Sequence, residues 1–230
     1  MTEILEKVCE KHNVKYTAKR LNFLGGEYIS KCPICEAELK AQRERDEKAM
    51  LEAKLAENRQ RDLEIKRAIL RDSGIPKRYE SFKPTDTENF AKYKGFLASE
   101  LKENLFIFGS VGQGKTLFCC ELIKANLNLK PIYLCGSDLA LIQKNDFNLM
   151  KYIDKLKGYD LIVIDEISFL LENAFVLDLI VDCAYRDDKR LVLCGNISFN
   201  EFADKAGQRV ISRVSQGLKI LKFTGKDLRI

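Results

Sequence analysis

The octapeptide at residues 109–116 constrains the fold of this chain of 230 residues more than any other feature of its sequence. It consists of Gly109, Ser110, Val111, Gly112, Gln113, Gly114, Lys115 and Thr116, at the end of the apolar run NLFIFG. In a phosphate-binding loop with this spacing, backbone N–H groups and the N terminus of the following helix point at the anion. The pattern predicts that Lys115 reaches the β- and γ-phosphates of ATP and that the Thr116 hydroxyl binds Mg²⁺. A strand, this loop and a helix in succession indicate an α/β fold.

Short apolar runs alternate with helix-length segments from about residue 77 onward. The runs that read as strands are 104–109, 131–136, 160–166, 190–196 and 218–223. The segments that read as helices are 115–127, 137–157 and 170–186. Strands separated by helices predict parallel βαβ units, with helices on both faces of one sheet.

The strand predicted at 160–166 ends in two acidic residues, Asp165 and Glu166, after four apolar ones. In an open parallel sheet, ligands bind at the carboxyl ends of the strands. We therefore expect Asp165 to hold Mg²⁺ through its second shell, and Glu166 to polarise the water that attacks the γ-phosphate. Together with the phosphate-binding loop, this strand indicates a nucleotide-hydrolysing site.

Two turns near the N terminus have the spacing of metal ligands. Cys9 and His12 are separated by two residues, as are Cys32 and Cys35, and 19 residues lie between the two pairs. A two-residue gap lets both side chains of a tight turn face one ion, so the turns predict a closed, structural Cys₃His zinc site. The alternative, a redox-active Cys-x-x-Cys motif, lacks a βαβ context around Cys32.

The remaining cysteines lie in apolar stretches, where a free thiol behaves as a small buried hydrophobe. They are Cys119, Cys120, Cys135, Cys183 and Cys194. This placement indicates a reducing compartment rather than a disulfide framework. No apolar run approaches the ~20 residues of a membrane span, and the first residues lack the apolar core of a secretory signal. A cytoplasmic protein without membrane contact is therefore expected.

Residues 37–72 contain no glycine or proline and are rich in strong helix formers. Opposite charges recur at helical spacing, as in Glu44 and Lys48. The segment predicts a long helix, either a solvated spacer or a helix whose sparse apolar stripe docks on a partner. Gly74 and Pro76 end it, because glycine caps helices and proline cannot continue one. The expected organisation is a zinc-binding module at 1–36, a charged linker helix at 37–73 and an ATPase domain at 74–230.

These features together resemble the AAA+ ATPases, and the chain is most similar to the DnaC-type helicase loaders and the related IstB-type transposition helpers. The resemblance runs over about residues 73–230. The stretches that carry it are SGIPKRYESF at 73–82, DLIVIDEIS at 160–168, LVLCGNIS at 191–198, and GQRVISRV and FTGKDLR between 207 and 229. It implies a P-loop AAA+ core with a parallel sheet and no C-terminal lid, preceded here by the zinc-binding module and the long helix.

The resemblance also implies roles for polar residues outside the two nucleotide motifs. Asn196 stands at the family's sensor-1 position, where it would orient the water near the γ-phosphate. Arg213, in the segment SRV at 212–214, matches the arginine finger that reaches the ATP of a neighbouring subunit, although serine replaces the usual aspartate. Arg209, one helical turn earlier, is the alternative, and Arg229 falls on the family's second sensor arginine. A finger supplied in trans implies that hydrolysis depends on assembly.

The leading interpretation is an ATP-dependent loader that binds a hexameric replicative helicase and helps to place it on single-stranded DNA during replication initiation. The resemblance implies that copies of the chain assemble with the helicase in an AAA+ spiral or ring. The stretch 137–159 resembles the helix that lines a DNA channel in the DnaA/DnaC branch, with lysines for phosphates and an aromatic side chain for a base. Its candidates are Lys144, Phe147, Lys151, Tyr152, Lys155 and Lys157.

Three other interpretations are open at this point. An IstB-like ATP-binding transposition helper would engage a transposase and duplex DNA. A small-molecule kinase would share the phosphate-binding loop, but would carry a lid and a substrate-binding acid in place of Asn196 and Arg213. A non-enzymatic zinc adaptor would use ATP only as an assembly clamp, and the intact Glu166 argues against it. The net charge of +5 is too modest to indicate a nucleic-acid-binding protein by itself.

Overall fold

The computed structural model describes residues 2–23, 26–81, 88–98, 100–142, 146–172 and 174–228 of the chain. The chain divides into two compact units, Met1–Leu63 and Glu64–Ile230. The three-part division at residues 36 and 73 stays a prediction. Within the described ranges, none of the helices combines the length and the apolar character required of a membrane span.

The first unit contains a three-stranded antiparallel sheet that the sequence analysis did not predict. Its strands are β1 (Thr2–Val8), β2 (Lys15–Phe23) and β3 (Gly26–Ile29), in the order β1-β2-β3. Cross-strand partners share a face, and on one face the register pairs Leu5 with the fully buried Ala18. On the opposite face, called here the outer sheet face, the exposed apolar side chains are Ile4, Val8, Leu21 and Tyr28.

Helix α1 (Pro33–Asp72) has 40 residues, none of which is buried. It begins four residues before the predicted start, because proline is well suited to the first turn of a helix, where its missing N–H is not needed. It ends at Asp72, and Gly74, two residues later, adopts the left-handed conformation (φ 76°) typical of a helix C-cap. A Cβ atom at Gly74 would lie 3.1 Å from the carbonyl oxygen of Tyr133, so two segments of the chain pass closely here.

The second unit contains a five-stranded parallel sheet, as predicted. Its strands are β4 (Asn104–Phe108), β5 (Pro131–Cys135), β6 (Leu161–Asp165), β7 (Arg190–Gly195) and β8 (Leu218–Lys222), in the order β5-β6-β7-β4-β8. Its further helices are α2 (Lys77–Glu80), α3 (Glu88–Tyr93), α4 (Gly95–Ala98), α5 (Lys115–Ala125), α6 (Gly136–Ile142), α7 (Asp146–Leu156), α8 (Ala174–Arg186), α9 (Phe199–Ala206) and α10 (Gln208–Val214).

One predicted helix begins later than expected, and another is described only in part. The helix predicted at 137–157 is described as α6 and α7, on either side of residues 143–145, which lie outside the described residues. The helix predicted from residue 170 begins instead at Ala174, because Ile167–Leu170 form a 3₁₀ turn that follows Glu166. Glu166 adopts a left-handed conformation (φ 55°), so the chain bends sharply at the end of β6.

Apolar side chains cover the sheet on both faces. Leu105 and Ile107 of β4 pack in the cluster that includes α5, and Phe106 between them points to the opposite cluster, where its ring centroid lies 5.0 Å from that of Phe202. All five residues of β6 are buried, which explains its continuous apolar run. Because the strands are parallel, the carboxyl ends of β4, β6 and β7 lie at one edge of the sheet.

Candidate functional site

The phosphate-binding loop connects β4 to α5 and folds around the side chain of Lys115. The Nζ atom of Lys115 donates hydrogen bonds to the carbonyl oxygens of Gly109 and Ser110, at 2.8 and 2.7 Å. Helix α5 begins at this lysine, and its N-cap residue Gly114 is left-handed (φ 82°), a conformation that a side chain would strain. The first N–H groups of α5 therefore follow directly on the loop, as anion binding at a helix N terminus requires.

A cleft of about 610 Å³ joins this loop to the carboxyl ends of β6 and β7. The predicted site residues that line it are Val111, Gly112, Gln113, Gly114, Lys115, Thr116, Asp165, Glu166 and Asn196. Arg78, Tyr79 and Leu228 also line the cleft and were not predicted. The parallel sheet thus brings the loop and the acidic strand end together, although 48 residues lie between Thr116 and Asp165 in the sequence.

Asp165 is held by two hydrogen bonds at the end of β6. Its Oδ2 atom accepts from the hydroxyl of Tyr133 at 2.9 Å, and its Oδ1 atom accepts from the backbone N–H of Glu166 at 2.9 Å. The carboxylate is 3% exposed. Burial, together with the charge of Asp165, raises the pKa of Tyr133 far above its ordinary value, so the hydroxyl stays a donor. Asp165 is therefore oriented before any ligand arrives.

Glu166 is exposed in the cleft and contacts the neighbouring strand β5. The thiol of Cys135 donates to Oε2 of Glu166 at 3.4 Å. A Cβ atom at Gly136 would lie 2.3 Å from the carbonyl oxygen of Glu166, so only glycine permits this approach. Sequence reasoning missed the three β5-side residues Tyr133, Cys135 and Gly136. The parallel order of neighbouring strands is the signal that could have indicated them, since adjacent strand ends meet at the site.

Asn196 follows β7, which lies between β6 and β4 in the sheet. This is the strand position that the resemblance implies for the sensor-1 residue. Asn196 is exposed and lines the cleft beside Gly195. A Cβ atom at Gly195 would lie 2.7 Å from Cγ2 of Ile167, so the glycine lets the turn after Glu166 pack against the end of β7.

The segment after β8 crosses the phosphate-binding loop. The N–H of Leu228 donates to the carbonyl of Gly112 at 2.9 Å, and Nε2 of Gln113 donates to the carbonyl of Gly225 at 3.1 Å. A Cβ atom at Gly112 would lie 1.8 Å from Oδ1 of Asp227, so any other residue would displace this segment. Arg229, the predicted second sensor arginine, lies outside the described residues.

Arg209 and Arg213 lie on α10 and do not line the nucleotide cleft. Both pair with two carboxylates of α8. Arg213 lies 2.6 Å from Asp182 and 3.4 Å from Asp178, and Arg209 lies 3.2 Å and 3.4 Å from the same residues. The side chain of Arg213 is 20% exposed and that of Arg209 is 63% exposed. Both arginines are thus anchored on one helix pair, and their role toward a neighbouring subunit stays a prediction.

The lysine-rich stretch 137–159 is described only in part. Lys144 and the side chain of Phe147 lie outside the described residues. Lys155 is exposed on α7, and Lys157 pairs with Asp154 at 2.7 Å. DNA contact through this stretch therefore stays a prediction.

The two cysteine-containing turns of the first unit converge on one point. Sγ of Cys9 lies 3.6 Å from Sγ of Cys35, and Nδ1 of His12 lies 3.3 Å from Sγ of Cys35 and 3.5 Å from the sulfurs of Cys9 and Cys32. A tetrahedral zinc ion with Zn–S of about 2.3 Å and Zn–N of about 2.0 Å separates its ligand atoms by about 3.5–3.8 Å. The donor set and its spacing therefore fit a closed zinc site.

The surroundings of these ligands favour a bound cation. A hydrogen bond with the backbone of His12 lowers the pKa of the Cys9 thiol to about 6. A hydrogen bond with the thiol of Cys32, followed by burial, raises the pKa of Cys35 to about 11. A divalent ion would nevertheless deprotonate its thiol ligands.

These elements define the class of the fold: a P-loop α/β core of the AAA+ type, in which a phosphate-binding loop and an acidic strand end share one cleft. Solved structures make the assignment more specific. A putative primosome component from Streptococcus pyogenes serotype M3 has a TM-score of 0.55 at 18% identity, covering 70% of this chain and 97% of that one. The DnaC helicase loader has a TM-score of 0.51 at 19% identity, covering 65% and 100%. The fold is therefore of the DnaC type, as predicted.

Replication initiators share the same core. The structure of DnaA bound to AMPPCP and single-stranded DNA has a TM-score of 0.51 at 21% identity, covering 66% of this chain and 52% of that one. This chain thus spans about half the length of the DnaA structure. No protein-family model matches the sequence, and a search of curated proteins finds no match. At these identities the likeness establishes the fold, and function rests on the site.

Proposed function

We propose that this protein is an ATPase that loads a hexameric replicative helicase onto single-stranded DNA during replication initiation. The observation that carries the proposal is the cleft in which Lys115, Asp165 and Glu166 converge, within a fold similar to that of the DnaC helicase loader. The similar DnaA structure holds an ATP analogue and single-stranded DNA, which supports the same two ligand classes here.

In this proposal each cleft residue has one task. Lys115 binds the β- and γ-phosphates, Glu166 polarises the attacking water, and Asn196 orients that water. Thr116 and Asp165 hold Mg²⁺, Asp165 through its second shell. When bound, the ion neutralises charge that develops on the phosphate oxygens. The two hydrogen bonds to Asp165 support this role, because an oriented carboxylate needs no rearrangement on binding.

Full activity in this proposal requires a neighbouring copy of the chain. Arg213, or Arg209 one turn earlier, supplies the positive charge that its neighbour's γ-phosphate lacks. The pairs with Asp178 and Asp182 support the assignment, because they fix the guanidinium groups on a rigid helix pair before assembly. Hydrolysis by the isolated chain is then slow, and the helicase and DNA stimulate it by organising the subunits.

The outer sheet face is the surface that we assign to the helicase. Ile4 and Leu21 are 69% and 42% exposed, and a contiguous exposed apolar surface is typical of a protein contact. Three of its four exposed apolar side chains, Ile4, Val8 and Leu21, are aliphatic, which favours a protein over single-stranded DNA, whose bases stack on aromatic side chains. Lys15 and Lys19 share this face, so the helicase segment that fits it is apolar with acidic flanks.

The test is reconstitution of the purified chain with a hexameric replicative helicase, ATP and single-stranded DNA. The expected result is ATP-dependent formation of a complex and faster appearance of the helicase on the DNA. Glu166→Gln should still assemble with ATP but should not turn it over, because only the water-polarising group is removed. Capture of a transposase and duplex DNA in place of the helicase would contradict the proposal and favour an IstB-like helper.

A pair of surface variants tests the helicase contact separately. Ile4→Glu combined with Leu21→Glu should weaken helicase binding without changing ATP binding. Lys7→Glu is the matched control, since it changes the charge of the same strand on the opposite face. Equal helicase binding by the double variant and the control would exclude the outer sheet face as the contact.

A further inference from the structure

The imidazole of His12 is contacted on both of its nitrogen atoms. Nδ1 faces the three sulfurs at 3.3–3.5 Å, and Nε2 lies 3.2 Å from Oε1 of Glu38, in the second turn of α1. Glu38 also pairs with Lys11, the residue before His12. The side chain of His12 is 15% exposed, whereas that of Glu38 is 47% exposed. The ring therefore lies between the sulfur cluster and a carboxylate that solvent can reach.

We propose that Glu38 is a positioning residue of the metal centre, which fixes His12 so that Nδ1, and not Nε2, binds the ion. The inference rests on the proposed zinc site. A neutral imidazole carries one proton and one free lone pair. If Nδ1 gives its lone pair to the metal, the proton is on Nε2, and Nε2–H donates to Oε1 of Glu38. A carboxylate in this place fixes the tautomer and the ring orientation and raises the basicity of the ligand.

The same contacts fix the start of α1 on the turn between β1 and β2. Cys32, Cys35 and Glu38 are spaced three residues apart, which places them along one side of the first helical turns. All three face the turn that carries Cys9 and His12: the two cysteines would share the metal with it, and Glu38 contacts the imidazole of His12. Glu38 therefore extends the attachment from the first turn of the helix to the second. Loss of Glu38 should therefore increase the mobility of the His12 imidazole and of the second turn of α1, while the four predicted metal ligands remain.

The experiment compares zinc affinity of three variants of the full chain by competition with a chromogenic chelator. Glu38→Ala should weaken zinc binding about 10–100-fold, the usual effect of removing such a partner. Glu38→Gln should lose less zinc affinity than Glu38→Ala, because the amide oxygen of glutamine still accepts a hydrogen bond from Nε2–H of His12. Glu36→Ala is the matched control: it removes an acidic residue two positions earlier in α1, and among the described residues the side chain of Glu36 makes no contact with the imidazole. It should bind zinc like the wild type.

A second measurement separates positioning from a general structural effect. Long-range ¹⁵N–¹H spectra of His12 in the zinc-loaded protein should show a metal-bound Nδ1 and a protonated Nε2, with the Nε2 resonance shifted in Glu38→Ala but not in Glu36→Ala. Binding through Nε2, or equal zinc affinity of Glu38→Ala and Glu36→Ala, would overturn the inference. A wild-type chain that binds no zinc would overturn the metal site itself, which is a different result.

Discussion

At the scale of single residues, the candidate ATPase site depends on side chains that support the acidic pair as much as on the pair itself. Tyr133 donates to Asp165, and Cys135 donates to Glu166, so two residues of β5 orient both carboxylates. Asp165 is buried, and a buried carboxylate oxygen that loses its donor carries an uncompensated desolvation cost. In the proposed Mg²⁺ site, the hydroxyl of Tyr133 would therefore support Asp165 without contacting the ion.

Tyr133→Phe tests this dependence. Removing the hydroxyl leaves Oδ2 of Asp165 without its donor, which should lower the free energy of unfolding by about 1–3 kcal/mol. The carboxylate also loses one of the hydrogen bonds that orient it, so more Mg²⁺ should be needed to reach half-maximal binding of a fluorescent ATP analogue. Both quantities can be measured on the purified chain.

Tyr93→Phe is the matched control for this substitution. The hydroxyl of Tyr93 is also in a largely buried position and donates at 2.8 Å, but to the backbone carbonyl of Lys222 and not to a carboxylate. It should lower stability by a similar amount and leave the Mg²⁺ requirement unchanged. Identical Mg²⁺ titrations of the two variants would show that Tyr133 contributes to folding alone.

At the scale of secondary-structure elements, the sequence predicted the strands of the parallel sheet and missed those of the antiparallel sheet. All five strands of the parallel sheet were expected, because runs such as Leu161–Asp165 are apolar at nearly every position. Strands β1 to β3 were not, because their outer face mixes apolar residues such as Ile4 with charged ones such as Lys19.

The residues of the candidate sites also divide into those that the sequence predicted and those that it did not. The loop and the acidic pair were predictable because their chemistry is contained in a short contiguous stretch. Tyr133, Asp227 and Glu38 were not predictable. The register of β5 against β6 brings Tyr133 to Asp165, and the path of the chain after β8 brings Asp227 to the phosphate-binding loop. The start of α1 brings Glu38 to the turn that carries His12. Contacts of this kind depend on tertiary structure, and no local pattern marks them.

The pairing of α8 with α10 provides a test of the predicted arginine finger. Arg213→Ala should leave ATP binding intact but lower the turnover stimulated by helicase and DNA by roughly 10³–10⁵-fold, the range associated with an arginine finger. Arg209→Ala is the matched control, since Arg209 lies one turn away and pairs with the same two aspartates. A greater loss of stimulated turnover in Arg209→Ala would transfer the role to Arg209, which is the more exposed of the two.

At the scale of the whole molecule, the two units are stabilised in different ways. The second has two apolar clusters, one on each face of its sheet. In the described part of the first unit, Ala18 and Cys32 are the only buried hydrophobic residues, and Cys32 is itself a predicted zinc ligand. So small a core cannot offset the conformational entropy lost on folding, and domains of this kind usually need a metal. The fold of the first unit should therefore depend on zinc, and that of the second should not.

Removal of the metal should unfold the first unit and leave the second unit folded. A chelator selective for zinc, used in the presence of excess Mg²⁺, should abolish the amide protection of β1 to β3 in hydrogen-exchange measurements, because the free energy of metal binding is the folding free energy of such a unit. Protection of β4 to β8 and binding of an ATP analogue should be unchanged. Helicase association should be lost together with the first unit, since the outer sheet face is part of it. Added zinc should restore protection and association in parallel. If β1 to β3 stay protected after complete zinc removal, this sheet folds on apolar contacts alone. If the helicase still associates after the sheet has unfolded, the contact with the helicase lies on another surface.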